Sequence, residues 1–303
     1  MSVTVVELGP RDGLQNEARP VSVADRVAFV QALAAAGLPR IEAGAFVHPG
    51  RVPQMASSDE VCATVAADPM LTDRHVRISA LVPNLTGLER ARAAGLREVA
   101  VFPAASETFS QRNLNQSIDA ALRSAGDVCA SALASGLRVR GYVSTAFGCP
   151  YEGDVPVAQV IRVCEALLAH GVFEVAISDT IGVAHPAQVR ALLRATRTAL
   201  PMSRVALHFH DTRGTALANV LTALEEAVET FDACAGGLGG CPFAPGATGN
   251  LATEDLLYML HGLGLALDID LDAIVAASAT IEPAVGHALP SRYYRAAQAH
   301  LRG

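Results

Sequence analysis

The chain has 303 residues, 51% of them hydrophobic, and a formal net charge of −7. That length suits one large α/β barrel or two smaller domains, and the acidic balance argues against a nucleic-acid surface. No uninterrupted apolar run reaches the roughly 18 residues needed to cross a bilayer, so no membrane span is expected.

Short β-rich runs alternate with polar loops and helical runs. Val3 to Leu8 reads as the first strand, and Gly9-Pro10-Arg11-Asp12-Gly13-Leu14-Gln15-Asn16-Glu17 as the loop after it. Ser22 is placed to cap a helix running to about Ala36, where Gly37 stops it. Arg40 to Phe46 is the second strand, and a helix follows near Asp59 to Ala67. Val76 to Val82 is the third strand, with Thr86 to Ala94 as its helix. Glu98 to Phe102 is the fourth; a loop from Pro103 to Asn115 leads into a long helix ending near Ser135. Arg138 to Thr145 is the fifth strand, and Val157 to Ala169 the helix beyond its loop. Phe173 to Ser178 is the sixth, and Pro186 suits the first turn of a helix from Ala187 to Ala199. Val205 to about His210 is the seventh, followed by a helix from Ala216 to Val228. Phe231 to Ala235 is the eighth and enters the glycine-rich stretch Gly236 to Gly240. Eight such units, repeating every 30–35 residues or so, predict an α/β chain folded as a (β/α)8 barrel. The competing architecture is a doubly wound sheet. The barrel is expected over about residues 3–250 of a single domain, with a helical extension over about 253–303.

The residue inventory narrows the chemistry. All 23 cationic side chains other than histidine are arginine. Without lysine, neither a Schiff base nor a P-loop is available. Cys62, Cys129, Cys149, Cys164, Cys234 and Cys241 form no C-x-x-C or zinc-finger spacing. With the first strand starting by about Val3, no signal peptide is expected, and the context reads as cytoplasmic and reducing.

Active sites of such barrels lie on the loops after the strands. His208 and His210 alternate with Phe209, so both imidazoles face the same side at the end of strand seven. Strands seven, eight and one are consecutive in a closed barrel, which lets Asp12 and Asn250 converge on the two histidines. Two imidazoles, a carboxylate and an amide oxygen suit a divalent metal that keeps open positions. Mg²⁺ or Mn²⁺ fits this mixed set, and Zn²⁺ fits less well without a thiolate. The stretch Gly236 to Gly240 lacks dinucleotide-fingerprint spacing and reads as a pliable loop carrying Cys241.

Several of these stretches resemble hydroxymethylglutaryl-CoA lyases. They are Gly9 to Glu17, Arg140-Gly141-Tyr142-Val143-Ser144, Gly148-Cys149-Pro150-Tyr151-Glu152-Gly153 and Ser178-Asp179-Thr180-Ile181-Gly182-Val183. His208-Phe209-His210-Asp211-Thr212, Gly237-Leu238-Gly239-Gly240-Cys241-Pro242-Phe243 and Gly249-Asn250-Leu251-Ala252-Thr253-Glu254-Asp255 continue the match. The resemblance implies a metal-dependent barrel that cleaves 3-hydroxy-3-methylglutaryl-CoA to acetyl-CoA and acetoacetate. The family's ligands fall on Asp12, His208, His210 and Asn250, for Mg²⁺ or Mn²⁺. Its catalytic arginine falls on Arg11 and its mobile-loop cysteine on Cys241, while Glu42 matches a carboxylate near the active site and Asp179 an acid behind it. Arg11, Cys241, His208, Glu42 and Asp179 are therefore expected to be catalytic, and Arg11, Asn113 and Gly240 to contact substrate. It also implies an acyl-CoA substrate and a homodimer, with no nucleic-acid or membrane partner. A related 3-hydroxyacyl-CoA such as citramalyl-CoA, or a Claisen condensation on the same barrel, is the alternative chemistry. Ala43-Gly44-Ala45, His48-Pro49-Gly50-Arg51, Arg213 and Cys234-Ala235-Gly236 depart from the family pattern. They are expected near the rim, where they would bear on which acyl group fits.

Overall fold

A computed structural model of the chain describes residues 2–240 and 249–302, the last three by backbone alone. The strands are β1 (Thr4–Glu7), β2 (Arg40–Ala45), β3 (Arg77–Leu81), β4 (Glu98–Val101), β5 (Arg138–Val143), β6 (Glu174–Asp179), β7 (Val205–Phe209) and β8 (Thr230–Ala233). They pair in parallel and in sequence order, and β8 returns to β1 to close the barrel. Each strand is followed by helix. The first helices are α1 (Val23–Ala35), α2 (Ser58–Ala66), α3 (Pro69–Asp73), α4 (Leu85–Ala93), α5 (Glu107–Leu114) and α6 (Ile118–Ala134). Then come α7 (Val157–Ala169), α8 (Pro186–Thr196), α9 (Ala216–Glu225) and the C-terminal α10 (Thr253–Gly262), α11 (Leu271–Val285) and α12 (Arg292–Arg302).

The two-residue alternation of each strand divides the core into an outer and an inner part. On β5, Val139, Gly141 and Val143 face the helices; a Cβ on Gly141 would come within 2.9 Å of Leu167 on α7. Arg140 and Tyr142 therefore point inward. The outer layer is apolar, but the interior is ionic. Arg40 on β2 reaches Glu174 on β6 at 3.0 Å, and Arg140 reaches Glu174 at 2.7 Å and Asp232 on β8 at 2.8 Å. The Arg40–Glu174 and Arg140–Asp232 pairs join strands that are not neighbours and so cross the barrel, while Arg140 and Glu174 face each other on adjacent strands. All four side chains are buried, and each charge is offset by a partner.

The C-terminal extension is tied to the barrel at two places. Ser291 N–H donates to Gly236 O at 3.0 Å, and Asp255 accepts from Ser291 Oγ and from the backbone N–H of Arg292 and Tyr293, anchoring α12. Asp270 N–H bonds to Ala36 O at 2.8 Å and ties α11 to the end of α1.

Three segments differ from the sequence reading, one of them the short helix α3, which lies between the expected second helix and third strand. The loop expected from Pro103 to Asn115 contains α5, capped by Ser106 Oγ on Phe109 N–H at 3.2 Å. Its sequence ETFSQRNL has no apolar stripe and buries only Phe109 and Ser110, so periodicity could not reveal it. The expected loop after β1 begins with a π-helical turn, Gly9–Gly13, closed by Gly13 N–H to Leu8 O at 3.2 Å.

Candidate active site

The turn after β1 lifts Arg11 and Asp12 over the mouth of the barrel. Gly9 is required at its start, because a Cβ there would lie 2.6 Å from Glu7 Oε1. Arg11 is buried and ion-paired with Glu42 on β2 and with Asp12. From β7, His208 and His210 enter the same space with ring centroids 5.2 Å apart, while Phe209 between them packs on Phe147. Asp12 Oδ2 lies 3.9 Å from His208 Nε2 and 4.0 Å from His210 Nε2. Asn250 arrives on a bridge paired with His210, and its Nδ2 donates to Leu238 O at 3.2 Å. Its Oδ1 is buried with no hydrogen-bond partner among the described residues. A buried carbonyl oxygen left this way is costly unless another group satisfies it, and a cation does so. A carboxylate, two imidazole Nε2 atoms and this oxygen thus fit a divalent metal.

Burial works against charge on Asp12, but Arg11 and both histidines outweigh it and hold the carboxyl well below the usual range. Burial and the adjacent His208 push His210 down to about 3, leaving a neutral imidazole, the form that ligates metal. Burial raises Glu42 despite Arg11 beside it. Arg11 itself is held above its ordinary value because Asp12 and Glu42 outweigh its desolvation.

A second layer, to which the sequence reading gave no role, supports these groups. His208 Nδ1 lies 3.3 Å from Asp232 Oδ2. Arg140 grips the same carboxylate through Nη1 at 3.2 Å and Nη2 at 2.8 Å. Arg140 Nη1 also donates to Tyr142 Oη at 2.9 Å, and Tyr142 donates to Glu42 Oε2 at 3.3 Å. A continuous chain of contacts therefore runs from Arg11 through Glu42, Tyr142, Arg140 and Asp232 to His208. The signal available in sequence was parity: a charged residue on the inward face of an otherwise apolar strand, as at Arg140 and Asp232.

A cavity of about 760 Å³ opens above these residues. Arg11, Asp12, His208, His210, Asn113 and Gly240 line it, as do Tyr142 and, at the rim, His48 and Arg51. Its far wall is apolar, with Leu81, Val82, Val101 and Phe102. Glu42 sits behind Arg11 rather than on the wall. Asp179 accepts from Val183 and Ala184 N–H, both at 2.9 Å, so its carboxylate holds the loop after β6; burial raises it to about 6. Cys241 lies outside the described residues.

The departures from the family pattern divide. His48 and Arg51 are on the cavity, but Ala43, Gly44 and Ala45 are not: Gly44 faces Ser58 and Cys62 on α2. A shift in the β2–β3 register between Glu42 and Gly44 breaks the alternation, so Gly44 turns to the helices although Glu42, two residues earlier, points inward. Arg213 donates to Ile181 O and Gly182 O, each at 2.9 Å, and braces a loop instead of lining the cavity. Arg112 stacks over Tyr151, 4.1 Å from its centroid.

Fold and site together define an enzyme of the (β/α)8 class, with a carboxylate and two imidazoles that could hold a metal beside a buried arginine at the C-terminal ends of the strands. The family model described as HMGL-like matches residues 2–281. The chain is 49% identical to hydroxymethylglutaryl-CoA lyase of Pseudomonas mevalonii, covering 96% of this chain and 95% of that one. It is 48% identical to the 3-hydroxy-3-isohexenylglutaryl-CoA/hydroxymethylglutaryl-CoA lyase of Pseudomonas aeruginosa, covering 97% and 96%. The crystal structure of hydroxymethylglutaryl-CoA lyase from Pseudomonas aeruginosa superposes with a TM-score of 0.94 at 48% identity, covering 99% and 98%. This chain belongs to the HMGL-like family.

Proposed function

We propose that the protein is a carbon–carbon lyase that cleaves 3-hydroxy-3-methylglutaryl-CoA to acetyl-CoA and acetoacetate. The observation that carries this reading is the convergence of Asp12, His208, His210 and the Asn250 oxygen, which has no partner among the described residues, beside Arg11, in a chain close to curated lyases along nearly its whole length. Asp12, His208, His210 and Asn250 would hold Mg²⁺ or Mn²⁺. Bound there, the cation supplies Lewis-acid polarisation of the substrate's 3-hydroxyl.

The chain's own groups do the rest. The hydroxyl proton passes to one basic group of this set, His208 or Asp12. The bond between C2 and C3 then breaks, C3 becomes the ketone of acetoacetate, and the electron pair moves into the thioester as an enolate. Arg11, fixed by Glu42, donates to the enolate oxygen and stabilises its charge. Cys241 is assigned to proton delivery at the enolate carbon, and Asn113 and Gly240 to substrate contacts on the cavity wall. Asp179 serves by fixing the loop after β6. The protein works as a single-domain cytoplasmic homodimer. In a turnover assay with 3-hydroxy-3-methylglutaryl-CoA, stoichiometric acetyl-CoA and acetoacetate are expected, suppressed by chelator and restored by Mn²⁺. No cleavage of any branched 3-hydroxyacyl-CoA would end this reading. Release of pyruvate from citramalyl-CoA in preference to acetoacetate would move it to the related lyase.

A further inference from the structure

The mouth is assembled from three chain segments far apart in sequence. One carries Asp12, one is the glycine stretch after β8, and one carries Asn250 into α10. A single buried side chain touches all three. Glu7, the last residue of β1, is fully buried. Its Oε1 accepts from Gly9 N–H at 2.7 Å, inside the turn that presents Arg11 and Asp12. The same oxygen accepts from Ala235 N–H at 2.9 Å, where the glycine stretch begins. Its Oε2 accepts from Thr253 Oγ1 at 2.6 Å, three residues beyond Asn250. Glu7 has no cationic partner among the described residues, and the hydrogen bonds are what offset the burial of its carboxyl.

The fit is tight on every side. A Cβ on Gly9 would collide with Glu7 Oε1. A second buried carboxyl, Glu254, takes Gly236 N–H at 2.9 Å on both oxygens and also binds Ser278 of α11. Consecutive N–H groups of the glycine stretch are thus held by carboxyls from opposite ends of the chain. None of these atoms lines the cavity, so the junction acts on the site only through the segments it joins.

We infer that Glu7 is a positioning residue: by accepting from all three segments at once, it sets the spacing between Asp12 and Asn250 that the metal-binding set requires. This rests on the ligand assignment proposed above. The need is for acceptor geometry. A glutamine satisfies the same junction, its oxygen taking Gly9 and Ala235 N–H and its amide donating to Thr253 Oγ1. An alanine leaves buried N–H groups unsatisfied and the segments untied.

The test is Mn²⁺ affinity, measured calorimetrically on the full chain without substrate, alongside kcat at rising Mn²⁺. Glu7→Ala should weaken Mn²⁺ binding by about 10- to 100-fold, the range for lost support behind metal ligands, with kcat partly restored by excess Mn²⁺. Glu7→Gln should bind Mn²⁺ like the unaltered chain. Thr253→Val removes one donor and carries the test if Glu7→Ala does not fold; it should weaken affinity in the same direction, by less. Restoration by excess metal separates positioning from a loss of folded protein. Unaltered Mn²⁺ affinity in folded Glu7→Ala or Thr253→Val, or a glutamine variant as impaired as the alanine one, overturns the inference. Absence of Mn²⁺ binding by the unaltered chain overturns the ligand assignment and this inference with it, whereas binding without lyase turnover overturns only the proposed reaction.

Discussion

Asp232 Oδ2 stands 3.3 Å from Nδ1 of His208, on the far side of the ring from Asp12. A proton on Nδ1 directed at that carboxylate leaves the Nε2 lone pair facing Asp12, the arrangement a metal-ligating imidazole needs. Asp232 is itself charged: burial opposes this, but Arg140 outweighs it and lowers the carboxyl. Asp232→Ala should weaken Mn²⁺ binding by roughly 10- to 100-fold. It also takes one of the two carboxylates from buried Arg140, which keeps Glu174, and should lower stability by at most about 3–5 kcal/mol. Denaturant unfolding and Mn²⁺ titration read the two effects separately; a variant normal in both would remove Asp232 from the supporting layer.

His210→Ala and Asn250→Ala should each bind Mn²⁺ at least about tenfold more weakly while leaving the fold intact. For Asn250 the change removes an oxygen without a partner among the described residues but also the Nδ2 bond to Leu238 O, so the stability lost should stay within about 1–3 kcal/mol. Equal Mn²⁺ affinity in both variants and the unaltered chain would place the metal elsewhere.

Arg11→Gln should lower kcat by about 10²- to 10³-fold, the usual effect of removing an oxyanion donor, with a much smaller change in KM. Arg11→Lys should rescue little, because an ammonium cannot reproduce a guanidinium that binds Glu42 and Asp12 together. Steady-state kinetics decide this, and a kcat left unchanged in Arg11→Gln would remove the residue from the chemistry.

Burial pushes Glu7 up to about 7 and Glu254 up to about 7. A carboxyl whose folded pKa lies above its unfolded value binds its proton more tightly in the folded state. Its stabilising effect is complete below the unfolded value and is lost as pH rises through the folded one. Glu7→Gln and Glu254→Gln should therefore gain on the unaltered chain between pH 5 and 8, by at most roughly 3 kcal/mol per site. Taking the difference at each pH cancels the opposing contribution of His210. Unfolding midpoints that stay parallel across this range would contradict the assignment.

Cys241→Ala should abolish most turnover while leaving Mn²⁺ affinity unchanged, if the thiol delivers the enolate proton. Turnover near that of the unaltered chain would assign the proton to another group.

The barrel was legible in the sequence because strands that face helices on one side and each other within must alternate and must recur at a regular interval. His208 and His210 were legible for the same reason: period two puts both on one face without knowledge of anything beyond the strand. Strand order alone then brought Asp12 and Asn250 to them, since closure makes the ends of the chain neighbours. What only the tertiary structure decided depends on contacts between residues with no fixed sequence relation. Glu7 joining Gly9, Ala235 and Thr253, Asp232 behind His208, and Arg140 bridging Glu174 and Asp232 are of this kind. So is the outward turn of Gly44, which moved a departure from the family pattern off the cavity. Periodicity says which face a side chain takes; which partner it meets there is settled by packing across the barrel, and in a low-dielectric interior that partner determines the charge each group carries.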